Sequence, residues 1–319
     1  MELKFSLIIP VYNRPKEIEE LLHSCIIQTY KNDFEIIIVE DGSIFKSDEV
    51  LKKYENQLNI NYFFKENSGA GASRNYGMQQ ATGNYFIILD SDVLLPTRYL
   101  EEVQKTLTHQ YTDAFGGSDA AHESFTAIQK AINYSMTSLL TTGGIRGKKK
   151  SVDQFQPRSF NMGISKKAFE ATNGFSNMKY GEDIDLSLRL QEMGFESQLI
   201  STAFVYHKRR STFKQFLQQT YNFGTARPVL NRKFPKTAKI TYWFPSLFII
   251  GFLLAIIAFL CGYWQLLLFY KIYFVAIFID SSIQNNNIKV GVLSIFTALI
   301  QFLGYGTGFL RSFLSHQKL

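Results

Sequence analysis

Cysteine is scarce in this 319-residue chain: only Cys25 and Cys261 occur. They lie far apart in dissimilar contexts, which speaks against a disulfide framework and fits a reducing compartment. Charge is also scarce. Asp, Glu, Lys and Arg make up 19% of residues against 46% apolar, with 29 Phe and 17 Tyr. That balance is unusual for a purely soluble protein, so membrane exposure is expected. Acids are missing altogether from His207 to Lys239, where nine of the 34 basic residues fall. The rest of the chain, with 25 basic residues against 27 acidic, is close to neutral. Such a block marks a nucleic-acid or anionic-membrane surface. Charge of either sign is absent from Ile240 to Tyr270 and from Val290 to Leu310. The apolar stretch in MELKFSLIIPVYN is too short for a signal peptide, so the N-terminal domain is expected in the cytoplasm.

Among the residues present, Asn84 to Pro96 (NYFIILDSDVLLP) carries the most chemistry. Its short apolar run, Phe86 to Leu89, reads as a buried strand that stops at Asp90-Ser91-Asp92. Open α/β sheets place ligands at that end of their strands. Two acids one residue apart can be aimed at one hard cation, Mg²⁺ or Mn²⁺, holding a diphosphate. Alone, DSD is more often a plain turn.

Upstream, Lys4 to Pro10, Phe34 to Val39 and Ile60 to Phe64 read as three further strands. Helices are expected from Arg14-Pro15 to about Gln28 and from Ser47 to Asn56. The alternation predicts a parallel α/β sheet. Asn67 to Asn75 is a Gly/Ala-rich loop entering a helix that ends near Gly83. GAGASR lacks the last glycine of a dinucleotide fingerprint and follows the third strand, which speaks against an oxidoreductase. A helix start with small residues still offers N–H groups to a phosphate, and Arg74 can pair with one bidentately.

Downstream, a helix to about His109, a short strand over Tyr111–Phe115 and a helix over Ser124–Leu140 are expected. Thr141 to Gln156 reads as a mobile loop. Arg158 to Ile164 is strand-like, and Lys166 to Ala171 a short helix. In Tyr180 to Leu190 (YGEDIDLSLRL) a helix closing at Gly194 puts Glu182 and Asp183 in its first turn. Acids favour that place for dipole reasons alone. Phe195 to Tyr206 holds a last strand, ending at His207.

The first charge-free run exceeds what one span needs, and the second matches one span. Cys261-Gly262-Tyr263-Trp264 reads as a break with interfacial aromatics. Two to three transmembrane helices are expected, at about 243–261, 264–282 and 290–311. The basic block before them puts the N-terminal domain inside.

Taken together, PVYN, VEDGS, the glycine loop, DSD, NMGIS, GEDIDLSLRL and YHKRRS, in that order, resemble the motifs of family 2 glycosyltransferases. The resemblance covers about residues 4–230. It implies an inverting enzyme of the GT-A fold, a Rossmann-like, mostly parallel sheet flanked by helices, over residues 1–230, with a membrane region over 231–319. It implies that Pro10, Tyr12 and Asp41 hold the nucleotide base and ribose. Gly71 and Arg74 would lie by the diphosphate, with Asp90 and Asp92 as metal and ribose acids. Asp183 would be the general base, Glu182 its neighbour toward the acceptor, and His207 a further metal ligand. Glu40 replaces the usual first acid of the DDGS-like pair. The QxxRW motif of processive members is absent: Gln218 to Phe223 carries no Trp. Transfer of one sugar is therefore expected, from a nucleotide-diphosphate sugar (UDP-sugar favoured) to a hydroxyl of a lipid-linked or glycan acceptor, with Mn²⁺ or Mg²⁺, at the cytoplasmic membrane. A nucleic-acid partner is not expected. The alternatives are a polyprenyl-phosphate glycosyltransferase, with Arg146–Lys150 or Lys208–Arg210 receiving the acceptor phosphate, and a non-catalytic membrane scaffold.

Overall fold

The computed structural model describes residues 2–143 and 155–315. The middle of the loop expected over Thr141–Gln156, with the candidate acceptor cations at 146–150, lies outside these residues. The first half of the chain runs β1 (Phe5–Val11), α1 (Pro15–Ile26), β2 (Phe34–Asp41), α2 (Asp48–Leu51), β3 (Asn59–Lys65), α3 (Ala70–Gln80), β4 (Tyr85–Leu89), β5 (Val93–Leu94) and α4 (Tyr99–His109). It continues with β6 (Ala114–Ala120), α5 (Ala127–Thr137), α6 (Leu139–Thr142), β7 (Asn161–Ser165), α7 (Lys166–Thr172), α8 (Glu182–Glu192) and β8 (Ser197–His207). Four long helices end it: α9 (Phe213–Lys233), α10 (Phe244–Leu260), α11 (Gln265–Asn285) and α12 (Ile288–Leu314).

These residues form two compact units. The first, residues 2–122 and 155–207, holds one eight-stranded sheet in the order β3-β2-β1-β4-β7-β6-β8-β5. The expected parallel arrangement holds from β3 to β4. β7, which returns after the excursion through α5 and α6, then enters antiparallel between β4 and β6. Central strands bury both faces, so apolar side chains occur at consecutive positions rather than alternate ones. Leu7, Ile9, Ile36 and Ile87 pack with Leu21 of α1 and Leu100 of α4. Ile8, Ile37 and Phe86 pack on the other face with Met78 of α3, Phe169 of α7 and Leu186 of α8.

The second unit holds residues 123–143 and 208–315, so the boundary expected near residue 230 falls within α9 inside this unit. The helix expected over Ser124–Leu140 is broken at Ser138. Its extended backbone ends α5, and its hydroxyl accepts from the Leu140 N–H to start α6. α10, with the turn before it from Ile240, α11 and α12 are long and apolar enough to cross a membrane. The first two are joined at the expected break, where Gly262 takes a positive φ of 93°.

Candidate active site

β4 ends at Leu89 and delivers Asp90 and Asp92 just beyond its C-terminal end. The two-residue β5 then pairs antiparallel with the end of β8, setting Val93 opposite His207. That register carries the imidazole to the acids. His207 Nε2 lies 3.3 Å from Asp92 Oδ1 and 3.9 Å from Asp90 Oδ2. One ligand atom from each residue falls within 4.8 Å of the others. Two carboxylates and an imidazole suit Mg²⁺ or Mn²⁺. Arg14, just before α1, is ion-paired with Asp92 through the other oxygen, Oδ2. Burial pushes the Asp92 carboxyl up, but His207 and Arg14 outweigh it and hold the group well below the usual carboxylate range.

Two residues that the motifs did not reveal lie against the imidazole. Phe160 stacks on it at 5.0 Å between ring centroids. Asp119 of β6, its side chain fully buried, places Oδ2 4.0 Å from His207 Nδ1. β6 lies beside β8 with Asp119 in register with Val205, two residues before His207. The sequence signal, one acid in an otherwise small and apolar strand, is faint.

Arg74 sits on α3 and is buried. It donates to Asp90 Oδ1 at 2.8 Å and to Glu182 Oε1 at 2.9 Å, with its guanidinium over the Phe175 ring. Burial opposes its charge, and the two acids outweigh burial. The start of α8 thus connects to Asp90 through one side chain. Burial, then the charge of Asp183, pushes the Glu182 carboxyl up, against the pull of Arg74. Asp183 stands next to it, with Oδ1 accepting from the Ile184 N–H at 2.8 Å and Oδ2 3.9 Å from Arg158 Nη1. Gly181, with φ of 81°, supplies the left-handed turn that starts α8 there. A Cβ on Gly71 would make ordinary contact with Phe175 and Glu182, so packing alone does not demand glycine at that position.

Pro10, Tyr12 and Asp41 stand at the ends of β1 and β2. Tyr12 is half exposed, a free aromatic face. Asp41 is held by the N–H groups of Ser68 and Gly69, each at 2.9 Å, and by the Lys65 ammonium. Burial raises its carboxyl, and these donors more than reverse that. Gly42 has φ of 72°, and a Cβ there would lie 2.7 Å from the Asn67 N, so the loop needs glycine. Glu40 is fully buried. It accepts from the Ser43 hydroxyl and the Ser47 N–H and so shapes the following loop. Of the cations considered for an acceptor phosphate, Arg209 is buried and hydrogen-bonds Asn133 Oδ1 at 3.3 Å.

The family model for Glycosyl transferase family 2 matches residues 6–171. The chain belongs to glycosyl transferase family 2. Over 116 residues, 36% of this glycosyltransferase, it is 38% identical to the glycosyltransferase GlyA of Streptococcus pneumoniae, covering 16% of that protein. Over 114 residues, 35% of the chain, it is 33% identical to the poly(ribitol-phosphate) beta-N-acetylglucosaminyltransferase TarS of Staphylococcus aureus, covering 20% of that protein. The chain thus spans about a fifth or less of these curated relatives. Its fold is that of the mannosyltransferase PcManGT from Pyrobaculum calidifontis, solved with GDP-Man and Mn²⁺ (TM-score 0.63, 15% identity, 95% of this chain and 88% of that one). TarS 1–349 of S. aureus with UDP-GlcNAc is also similar in fold (TM-score 0.53, 19% identity, 99% and 93%). The glycosyltransferase therefore has a GT-A-like mixed α/β sheet flanked by helices, with three apolar helices after it.

Proposed function

We propose that this glycosyltransferase moves one sugar from a nucleotide-diphosphate sugar, with a UDP-sugar favoured, to a hydroxyl of a lipid-linked or glycan acceptor, inverting the anomeric centre. The observation that carries the proposal is the cluster Asp90, Asp92 and His207 beyond β4, joined through Arg74 to the Glu182–Asp183 pair. UDP-GlcNAc and GDP-Man in two proteins of the same fold support a nucleotide-sugar donor, and Mn²⁺ in one of them supports a divalent ion. Asp90, Asp92 and His207 would hold that ion, which supplies positive charge to the departing diphosphate. Tyr12 and Asp41 hold the base, Asp41 as an acceptor for a uracil N–H. Asp183 takes the proton from the acceptor hydroxyl as that oxygen attacks the anomeric carbon. The carboxylate has one oxygen on the Ile184 N–H and the other, Oδ2, turned toward Arg158 at 3.9 Å, and Oδ2 is the atom for the incoming proton.

Residues 231–319 anchor the catalytic domain, residues 1–230, at the cytoplasmic face of the membrane. The basic block from Lys208 to Lys239 supports that orientation. The test is transfer and hydrolysis of a panel of nucleotide sugars by the detergent-purified protein. Activity should vanish in excess chelator and return with Mn²⁺ or Mg²⁺, and Asp92→Ala should lose donor binding together with turnover. Full activity in excess chelator would overturn the metal assignment, and no turnover of any donor would favour a scaffold.

A further inference from the structure

The three apolar helices are not alike. In the most apolar windows of α10 and α11, 17% and 11% of residues are buried, against 44% in α12. Two polar helices, α9 and α5, cover much of it, beside aromatic contacts at the start of α10, where Phe244 and Phe248 meet Phe302. α9 lies along it in backbone contact: a Cβ on Gly304 would strike the Thr220 hydroxyl, and one on Gly308 the Tyr221 carbonyl. One turn earlier Phe216 packs with Ile300, so the two helices run side by side in the same direction. α5 covers the preceding turn. Thr297 Oγ1 donates to the Ala131 carbonyl at 3.1 Å and pairs with the Ser135 hydroxyl at 2.6 Å.

α9 is not a helix for hydrocarbon. Over Phe213–Lys233 it carries four cations and five Gln or Asn side chains. If α12 stood across the bilayer, α9 beside it would take exposed Gln218 and half-buried Asn222 into the acyl chains and buried Arg227 to the same depth, where charged and amide groups are expensive. The surface α12 leaves uncovered is a single stripe. Val292, Phe296, Leu303, Thr307 and Leu314 are exposed at spacings of four and seven residues, with exposed Lys289 and Arg311 toward the two ends. One apolar stripe with cations at both ends is the pattern of a helix lying in the interface of an anionic membrane.

We infer that only α10 and α11 cross the bilayer, as a hairpin, and that α12 lies in the plane of the interface with this stripe toward the acyl chains. The partner of the stripe is the lipid surface itself, and both ends of α12 stay on the side of α9. The inference rests on the membrane insertion of α10 and α11.

Site-specific labelling tests both parts in the full-length protein. Cys261 is exposed at the α10–α11 turn and serves as a natural reporter, while buried Cys25 is removed by Cys25→Ser. Lys289→Cys and Ser315→Cys are placed singly in a background that also carries Cys261→Ser. A membrane-impermeant maleimide is applied to sealed vesicles of each orientation. Residues 289 and 315 should label from one face and Cys261 from the other. Labelling of 289 and 315 from opposite faces means that α12 spans, and the inference is wrong. Labelling of Cys261 from the same face as both removes the hairpin and the insertion on which the inference stands. A fluorophore at Leu303→Cys should be quenched by shallow, not bilayer-centre, spin-labelled lipids; the reverse also overturns it.

Discussion

Arg74 donates a hydrogen bond to Asp90 at 2.8 Å. An arginine expected to meet a diphosphate is, in this structure, almost wholly buried and already paired with Asp90 beyond β4. Its second bond, to Glu182, joins residues 108 positions apart in sequence. Asp90 and the start of α8 are therefore held in one frame by a single planar fork.

Removing that fork should cost stability as well as activity. Arg74→Ala leaves Asp90 and Glu182 as closely placed carboxylates without a cation, and breaking a buried pair typically costs about 3–5 kcal/mol. Arg74→Lys is expected to rescue only part of this, because one ammonium cannot reproduce the two-sided planar contact. Thermal unfolding of the three proteins in the same detergent checks the order: wild type above Lys, and Lys above Ala. Equal unfolding temperatures would refute it.

Asp119 is expected to act as a positioning residue for His207. Phe160 stacks on the ring, and the Asp119 carboxylate, 4.0 Å from Nδ1, is placed to attract that nitrogen and leave Nε2 facing the acids. Loss of such a supporting carboxylate typically weakens metal binding by about 10–100-fold. Asp119→Ala should show that loss in a Mn²⁺ titration followed by electron paramagnetic resonance without donor, and Asp119→Asn, which keeps an acceptor, should lose less. Unchanged Mn²⁺ affinity in Asp119→Ala would rule the role out.

Asp41 gives a pH signature. Its folded carboxyl is depressed, so its contribution to stability is complete above the unfolded value of about 3.9 and is lost as pH falls through the lower folded value. The unfolding temperature of wild type minus that of Asp41→Asn should be flat from pH 8 to about 5 and narrow below about 4. A gap that widens on acidification would contradict the assignment.

How much of this was legible in the sequence follows from range. β1 to β4 and their helices were readable because apolar runs and turn residues are local signals, and DSD declared itself by its place after β4. The α8 start was readable from GED. What sequence could not give was side-chain partnership across distant elements. The nearness of Asp119 to His207 depends on the β6–β8 register, and the Arg14–Asp92 pair on the approach of α1 to β5. Arg74 is marked in the sequence by its position one turn into a glycine-rich helix start, and nothing local shows that Glu182 comes to meet it. β5 is two residues long, too short for any periodicity, yet it carries the register that brings His207 to Asp90 and Asp92.

The central claim is that Asp183 is the base of an inverting transfer whose donor is held elsewhere. The measurement that tests it most directly compares donor affinity with transfer rate in Asp183→Asn. Asp183 does not belong to the Asp90–Asp92–His207 cluster, so nucleotide-sugar affinity by calorimetry should stay at the wild-type value. Loss of a general base typically costs about 10²–10⁴-fold, and the transfer rate should fall by that much. The residual product should still carry the anomeric configuration opposite to the donor's. Near-normal transfer by Asp183→Asn, or retained configuration in the product, would contradict the account.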